Sequence, residues 1–244
     1  MKQTKLRAVK DVANALLQLD PHMTKFSPIV ISHPFSSSGI TAIMKNGETT
    51  MLNIAESKED LKEWRKAMQY QINHVSDPFE IYMMVNTPYA LTFLKLAKPY
   101  LSERDFSTIL ASAWIQTEAP NQDIDVSKSQ LLSMFKVADP SVLMDEDELQ
   151  QWRDLDDEIT VYRGVTPYNE KNIRALSWTL DRETAEWFAH RFDEDGTVYQ
   201  ARIEKEHVYA IFNGRNESEV IVDPKHLTDI TEAMDLEPQF ELSM

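Results

Sequence analysis

The chain has 244 residues, 42% hydrophobic and 9% aromatic, and its 25 Lys/Arg against 40 Asp/Glu give a formal net charge of −15. That is enough apolar material to bury the core of one large or two small domains. The absence of cysteine excludes disulfides and thiolate metal sites and suits a reducing compartment. No stretch approaches the roughly 18 uninterrupted apolar residues of a membrane span, so no membrane association is expected.

The acidity is uneven: residues 1–99 hold 12 Lys/Arg against 9 Asp/Glu, and residues 100–244 hold 13 against 31. A surface of that sign repels phosphate backbones, so direct nucleic-acid binding is disfavoured and a basic protein partner is favoured. The first seven residues are basic in the manner of a signal peptide. Lys10, Asp11 and Asn14 interrupt the apolar run such a peptide needs, and a cytoplasmic location is expected.

In chain order, Val9, Val12, Leu16 and Leu17 recur at a helical period within residues 1–20. Residues 26–32 are β-rich, and 39–44 and 49–55 flank Lys45-Asn46-Gly47-Glu48, whose Asn-Gly pair signals a hairpin. Ser36-Ser37-Ser38-Gly39 lacks the lysine and glycine spacing of a phosphate loop and reads as an ordinary loop. Ser57 is placed to cap a helix whose apolar face carries Leu61, Trp64, Met68 and Ile72. Further helical patterns cover 78–96, 102–117, 127–138 and 145–155, broken by Pro99, Pro120 and Pro140.

From Glu158 the pattern turns to strands, over 159–164, 175–179, 197–203, 208–212 and 219–223. One helix lies among them, with Asp181 as its N-cap and Ala185, Phe188, Ala189 and Phe192 as its buried stripe. Helices followed by short strands around one helix define an α+β class. Residues 1–99 form a small N-terminal α/β module of unassigned role, residues 100–244 a second domain, and 236–244 a tail. The six histidines form no His-x-x-x-His pair, so no metal site is expected.

Three pieces of the strand-rich part carry chemistry together. In Val161-Tyr162-Arg163-Gly164 an arginine ends a strand and a glycine permits a turn or a close backbone approach. Leu176-Ser177-Trp178-Thr179 leads directly into the amphipathic helix. Asn216-Glu217-Ser218-Glu219 opens an apolar strand, and side chains at i and i+2 of a strand leave on one face, so Glu217 and Glu219 are expected to address one site. Taken singly, each piece has an ordinary reading: surface glutamates, sheet hydroxyls, a core Trp178, and an Arg163 paired with Asp156, Asp157 or Glu158.

In that order the pieces resemble the Arg/Ser-x-Thr/Glu-x-Glu class of mono-ADP-ribosyltransferases, which includes clostridial binary toxins and phage-encoded transferases. The resemblance covers about residues 158–225 and extends to the helices from about 100 onwards, which implies a catalytic domain over 100–244; residues 1–99 carry none of it. It implies a split β-sheet core with flanking helices, and NAD as a substrate with no metal. Arg163 and Gly164 would bind the pyrophosphate, the guanidinium bidentately. Ser177 and Thr179 would hold the framework around the nicotinamide ribose. Glu219 would bond the ribose 2′-hydroxyl and stabilise positive charge developing at the ribose carbon. Glu217 would present and deprotonate the acceptor, which implies arginine on a protein because asparagine-modifying relatives carry glutamine there. Phe212, Asn213 and Arg215 would form the target-recognition loop, and residues 193–196 a loop near the nicotinamide. Two alternatives stay open, an NAD glycohydrolase with water as acceptor and a non-catalytic binding or virion-associated protein that keeps the fold.

Overall fold

The computed structural model describes residues 3–45, 47–117, 120, 123, 125–191 and 195–233. The chain is mixed α+β and divides into two compact units, 1–143 and 144–244. The boundary therefore falls 44 residues later than the division expected at 99/100, because the helices of 103–143 pack on the preceding helices and belong to the first unit. Among the described residues, no helix is long and apolar enough to cross a membrane.

In the first unit, α1 (Leu6–Leu17) buries Val9, Ala13, Leu16 and Leu17. A three-stranded antiparallel sheet follows, β1 (His22–Met23), β2 (Val30–His33) and β3 (Ser36–Ser38). The serine run read as a loop is thus a strand. Its hydroxyls are spent locally, Ser36 Oγ donating to the Ser38 carbonyl and Ser38 Oγ to that of Ile40. β4 (Ile40–Lys45) and β5 (Glu48–Asn53) form the hairpin, with Lys45 opposite Glu48 and Gly47 at φ +83°; its Asn46 lies outside the described residues.

α2 (Lys58–His74) begins where Ser57 accepts the Asp60 N–H, and it buries Trp64 and Ile72. The helix expected over 78–96 is two, α3 (Pro78–Met83) and α4 (Ala90–Ala97), separated by a 3₁₀ turn that contains Pro88. A proline in a helix interior removes a hydrogen bond and clashes with the preceding turn, so the run breaks there. α5 (Glu103–Gln116), α6 (Lys128–Phe135) and α7 (Pro140–Leu143) complete the unit. Trp114 is core here, edge-on to Phe135 at 5.1 Å.

The second unit opens with α8 (Glu146–Arg153), capped by an Asp145/Glu148 capping box. Its antiparallel sheet has the order β11-β8-β6-β7-β10-β9, from β6 (Glu158–Val165), β7 (Ser177–Thr179), β8 (Thr197–Glu204), β9 (Val208–Phe212), β10 (Glu219–Val222) and β11 (Thr228–Glu232). β11 carries no strand signal in the sequence, because Thr-Asp-Ile-Thr-Glu has one apolar residue, as an exposed edge strand can.

α9 (Arg182–His190) follows β7 directly, its Asp181 cap accepting the Glu183 and Thr184 N–H groups. It packs on β6 at a distance only glycine allows. A Cβ on Gly164 would lie 2.1 Å from the Ala185 carbonyl oxygen and 2.5 Å from the Ala189 nitrogen.

Candidate active site

β6 and β8 pair from Glu158/Glu204 to Val165/Thr197. β6 and β7, by contrast, are joined at Tyr162/Thr179 alone. The sheet loosens along that seam, and the polar residues of the candidate site flank it. Arg163 stands one residue beyond the joint on β6. Ser177 and Thr179 stand on β7, and Glu219 pairs with Thr179 across β10.

The Arg163 guanidinium donates from Nη1 to the Ser177 carbonyl at 2.6 Å. Ser177 Oγ in turn donates to Glu219 Oε1 at 2.5 Å. Ser177 and Glu219 are diagonal neighbours across β7 and β10, close enough on one face for their side chains to meet. Glu219 is only 7% exposed. Thr179 Oγ1 donates to the Glu217 carbonyl at 2.6 Å and accepts the Asp181 N–H at 3.0 Å, so it ties the loop before β10 to the start of α9.

Arg163 carries an electrostatic conflict. Burial pushes its guanidinium down to about 10; the Glu219 carboxylate acts in the opposite direction, and the nearby Arg191 guanidinium lowers it further. It remains a cation at neutral pH. Its Nε is buried with no hydrogen-bond partner among the described residues. An enclosed donor on a charged group is expensive to leave unmade, and two adjacent guanidinium groups repel. An anionic ligand would satisfy the Nε donor. Arg191, at the end of α9 and over the Phe188 ring at 5.2 Å, is a site residue the sequence motifs do not point to. A basic residue just past the helix that follows the serine motif was the available signal.

The two glutamates do not share a strand face as expected. β10 begins at Glu219, and Ser218 and Asn216 have φ of +43° and +56°, so the chain turns between the acids instead of extending. The Glu217 carboxylate meets Arg215 at 3.1 Å. Gly164 faces the backbone of α9, and its close packing leaves no room for a ligand there. Phe212 is buried in β9, and Asn213 is bound to α8 through its N–H to Glu148 Oε1 at 2.6 Å and its Nδ2 to Gln151 at 2.9 Å. These two anchor the loop, and Gly214, Arg215 and Asn216 are exposed. The buried Glu148 is thus a second residue the motifs miss; its capping box with Asp145 was legible, its reach to Asn213 was not.

Trp178 is core, its Nε1 donating to the Ala175 carbonyl. Asp156, Asp157 and Glu158 lie before or at the start of β6, away from Arg163, and Glu158 pairs with Arg202 at 3.1 Å. Phe192, Asp193 and Glu194 lie outside the described residues, so the loop expected near the nicotinamide is not described. Near the end of β8, Glu204, Glu206 and His207 bring ligand-type atoms within 4.8 Å of one another, a grouping that histidine spacing does not reveal. No family model, curated protein or solved structure matches the chain.

Proposed function

We propose that this chain is an NAD-dependent mono-ADP-ribosyltransferase that modifies arginine on a basic protein partner in the cytoplasm of a bacterial or phage-infected cell, with its β6–β10 sheet in the role of that family's split core. The observation that carries the reading is the chain of contacts Arg163–Ser177–Glu219 at the seam between β6 and β7. Bound NAD supplies an electrophilic ribose carbon and nicotinamide as leaving group. Arg163, whose Nε has no partner among the described residues, would hold the pyrophosphate with Arg191 nearby. Ser177 fixes the Glu219 carboxylate, which is then preorganised toward positive charge at the ribose instead of reorganising during reaction.

Glu217 is the acceptor-side group. It already holds a guanidinium, that of Arg215, and an incoming arginine would take the same carboxylate and lose a proton to it. The same contact favours a second reading, NAD glycohydrolase, in which Arg215 keeps its place on Glu217, the acceptor guanidine is shut out and water attacks the ribose carbon instead. Incubation of the full chain with labelled NAD and agmatine, a small guanidine, separates the two. Transfer of label to agmatine supports the transferase; nicotinamide release without transfer supports the hydrolase. No release at all, with no NAD binding, contradicts both.

A further inference from the structure

The first unit presents a charged surface that the site at β6 and β7 does not use. Lys58, Lys62, Lys66, Tyr70 and His74 follow one another at i+4 along α2 and are all exposed. Residues at that spacing form one continuous ridge on a helix, rising about 6 Å per step. Like charges at i, i+4 repel, and the three lysines form no ion pair among the described residues. The ridge borders a groove of about 590 Å³. Its other cation, Arg65, is committed to structure, donating to the carbonyls of Leu17, Gln18 and Leu19 and pairing with Asp20 at 3.1 Å. The groove's remaining carboxylate, Glu56, accepts from Asn53 Nδ2 at 3.1 Å. The lysines are left facing the opening.

The far end of the ridge is aromatic. Tyr70 is 65% exposed and stacks on the His74 ring at 3.8 Å, so the tyrosine is held in place without being buried. Phosphate-spaced cations in line with a rigid exposed ring are what a flexible single strand requires, charge for the backbone and a π-face for a base. An acidic peptide would use the lysines but has no need of the ring. We propose that the α2 ridge binds single-stranded nucleic acid, with phosphates along Lys58, Lys62 and Lys66 and a base on Tyr70. The repulsion expected from the chain's acidity does not apply evenly, because residues 1–143 hold 15 Lys/Arg against 15 Asp/Glu.

The test is fluorescence anisotropy of a short labelled oligothymidylate with the full-length protein, titrated between roughly 50 and 200 mM salt. Three phosphate contacts predict a slope of about −2 in log affinity against log salt, roughly a twentyfold loss over that range. The triple variant Lys58→Gln, Lys62→Gln, Lys66→Gln is expected to lose the salt-dependent binding. Tyr70→Ala is expected to weaken binding at least fivefold with the slope unchanged. All four positions are exposed, and thermal unfolding checks that the variants stay folded. Absence of binding by the wild type at low salt, or wild-type affinity in the triple variant, overturns the proposal. Unchanged affinity in Tyr70→Ala together with displacement of the oligonucleotide by polyglutamate overturns it in favour of an acidic protein partner.

Discussion

Residues 1–143 balance their charges at 15 Lys/Arg and 15 Asp/Glu, whereas residues 144–244 hold 10 against 25 and so carry the whole −15. The two regions also differ in where they keep polar groups. The first unit buries His33 as a neutral imidazole: Nδ1 accepts the Phe35 N–H at 3.0 Å, so Nε2 carries the proton shared with the Leu19 carbonyl. The second unit, which carries the acidity, encloses a charged guanidinium whose Nε has no partner among the described residues and a nearly buried carboxylate. Buried ions are weak contributors to stability and are often replaceable by apolar side chains without loss. The contrast teaches that, among the described residues, the buried carboxylates Glu148, Glu219 and Asp223 all belong to the second unit, whereas the first buries neutral polar groups such as His33 and Ser107.

The comparison can be broken most sharply at Gly164. Gly164→Val forces a side chain into the backbone of α9 and is expected to destabilise the second unit by about 3 kcal/mol. Hydrogen exchange should then accelerate in β6 and α9 and stay unchanged in α1 and α2; equal loosening of both would show that the damage is not confined to the second unit.

A similar magnitude attaches to His33, whose burial lowers its imidazole to about 4 from 6.5. Because the folded value is the lower one, the unfolded chain binds the extra proton first, and stability falls as pH drops from about 6.5 to about 4. The full loss is about 3 kcal/mol. The thermal midpoint of the first unit should fall over that interval, and His33→Gln should remove the slope even where it lowers the midpoint.

At the site, Glu217→Gln should reduce transfer to agmatine about a hundredfold, near 2.7 kcal/mol, while slow NAD cleavage survives. Equal loss of both reactions would mean that the two glutamates have no separate tasks. The smallest effect belongs to Arg215→Ala. A partly exposed ion pair is worth about 0.2–1 kcal/mol, so freeing Glu217 should raise transfer at low agmatine by roughly 1.4- to fivefold.

Much of this architecture was legible because local rules acted alone. Ser57, Ser127 and Asp181 cap the helices that follow them, and the hairpin forms around Gly47. The apolar pattern marks the strands that carry Arg163, Ser177 and Glu219, and their meeting is what the family resemblance implies. What escaped depends on contacts distant in sequence. The unit boundary follows from helix packing over 103–143, which no local signal reports. Gly164 could serve a ligand or a helix, and only the placement of α9 decides. The face shared by Glu217 and Glu219 was inferred from strand geometry, and the left-handed Ser218 removes it. The buried ends of the recognition loop were hidden too, because Phe212 and Asn213 are held by β9 and by α8.

Nicotinamide release from NAD by the full chain, measured beside Glu219→Gln, tests the central claim most directly. The arrangement of Arg163, Ser177 and Glu219 predicts steady release by the wild type and a loss of roughly 10²–10³-fold in the variant, with its thermal midpoint retained. Absence of release by the wild type, or equal release by a folded variant, would contradict it.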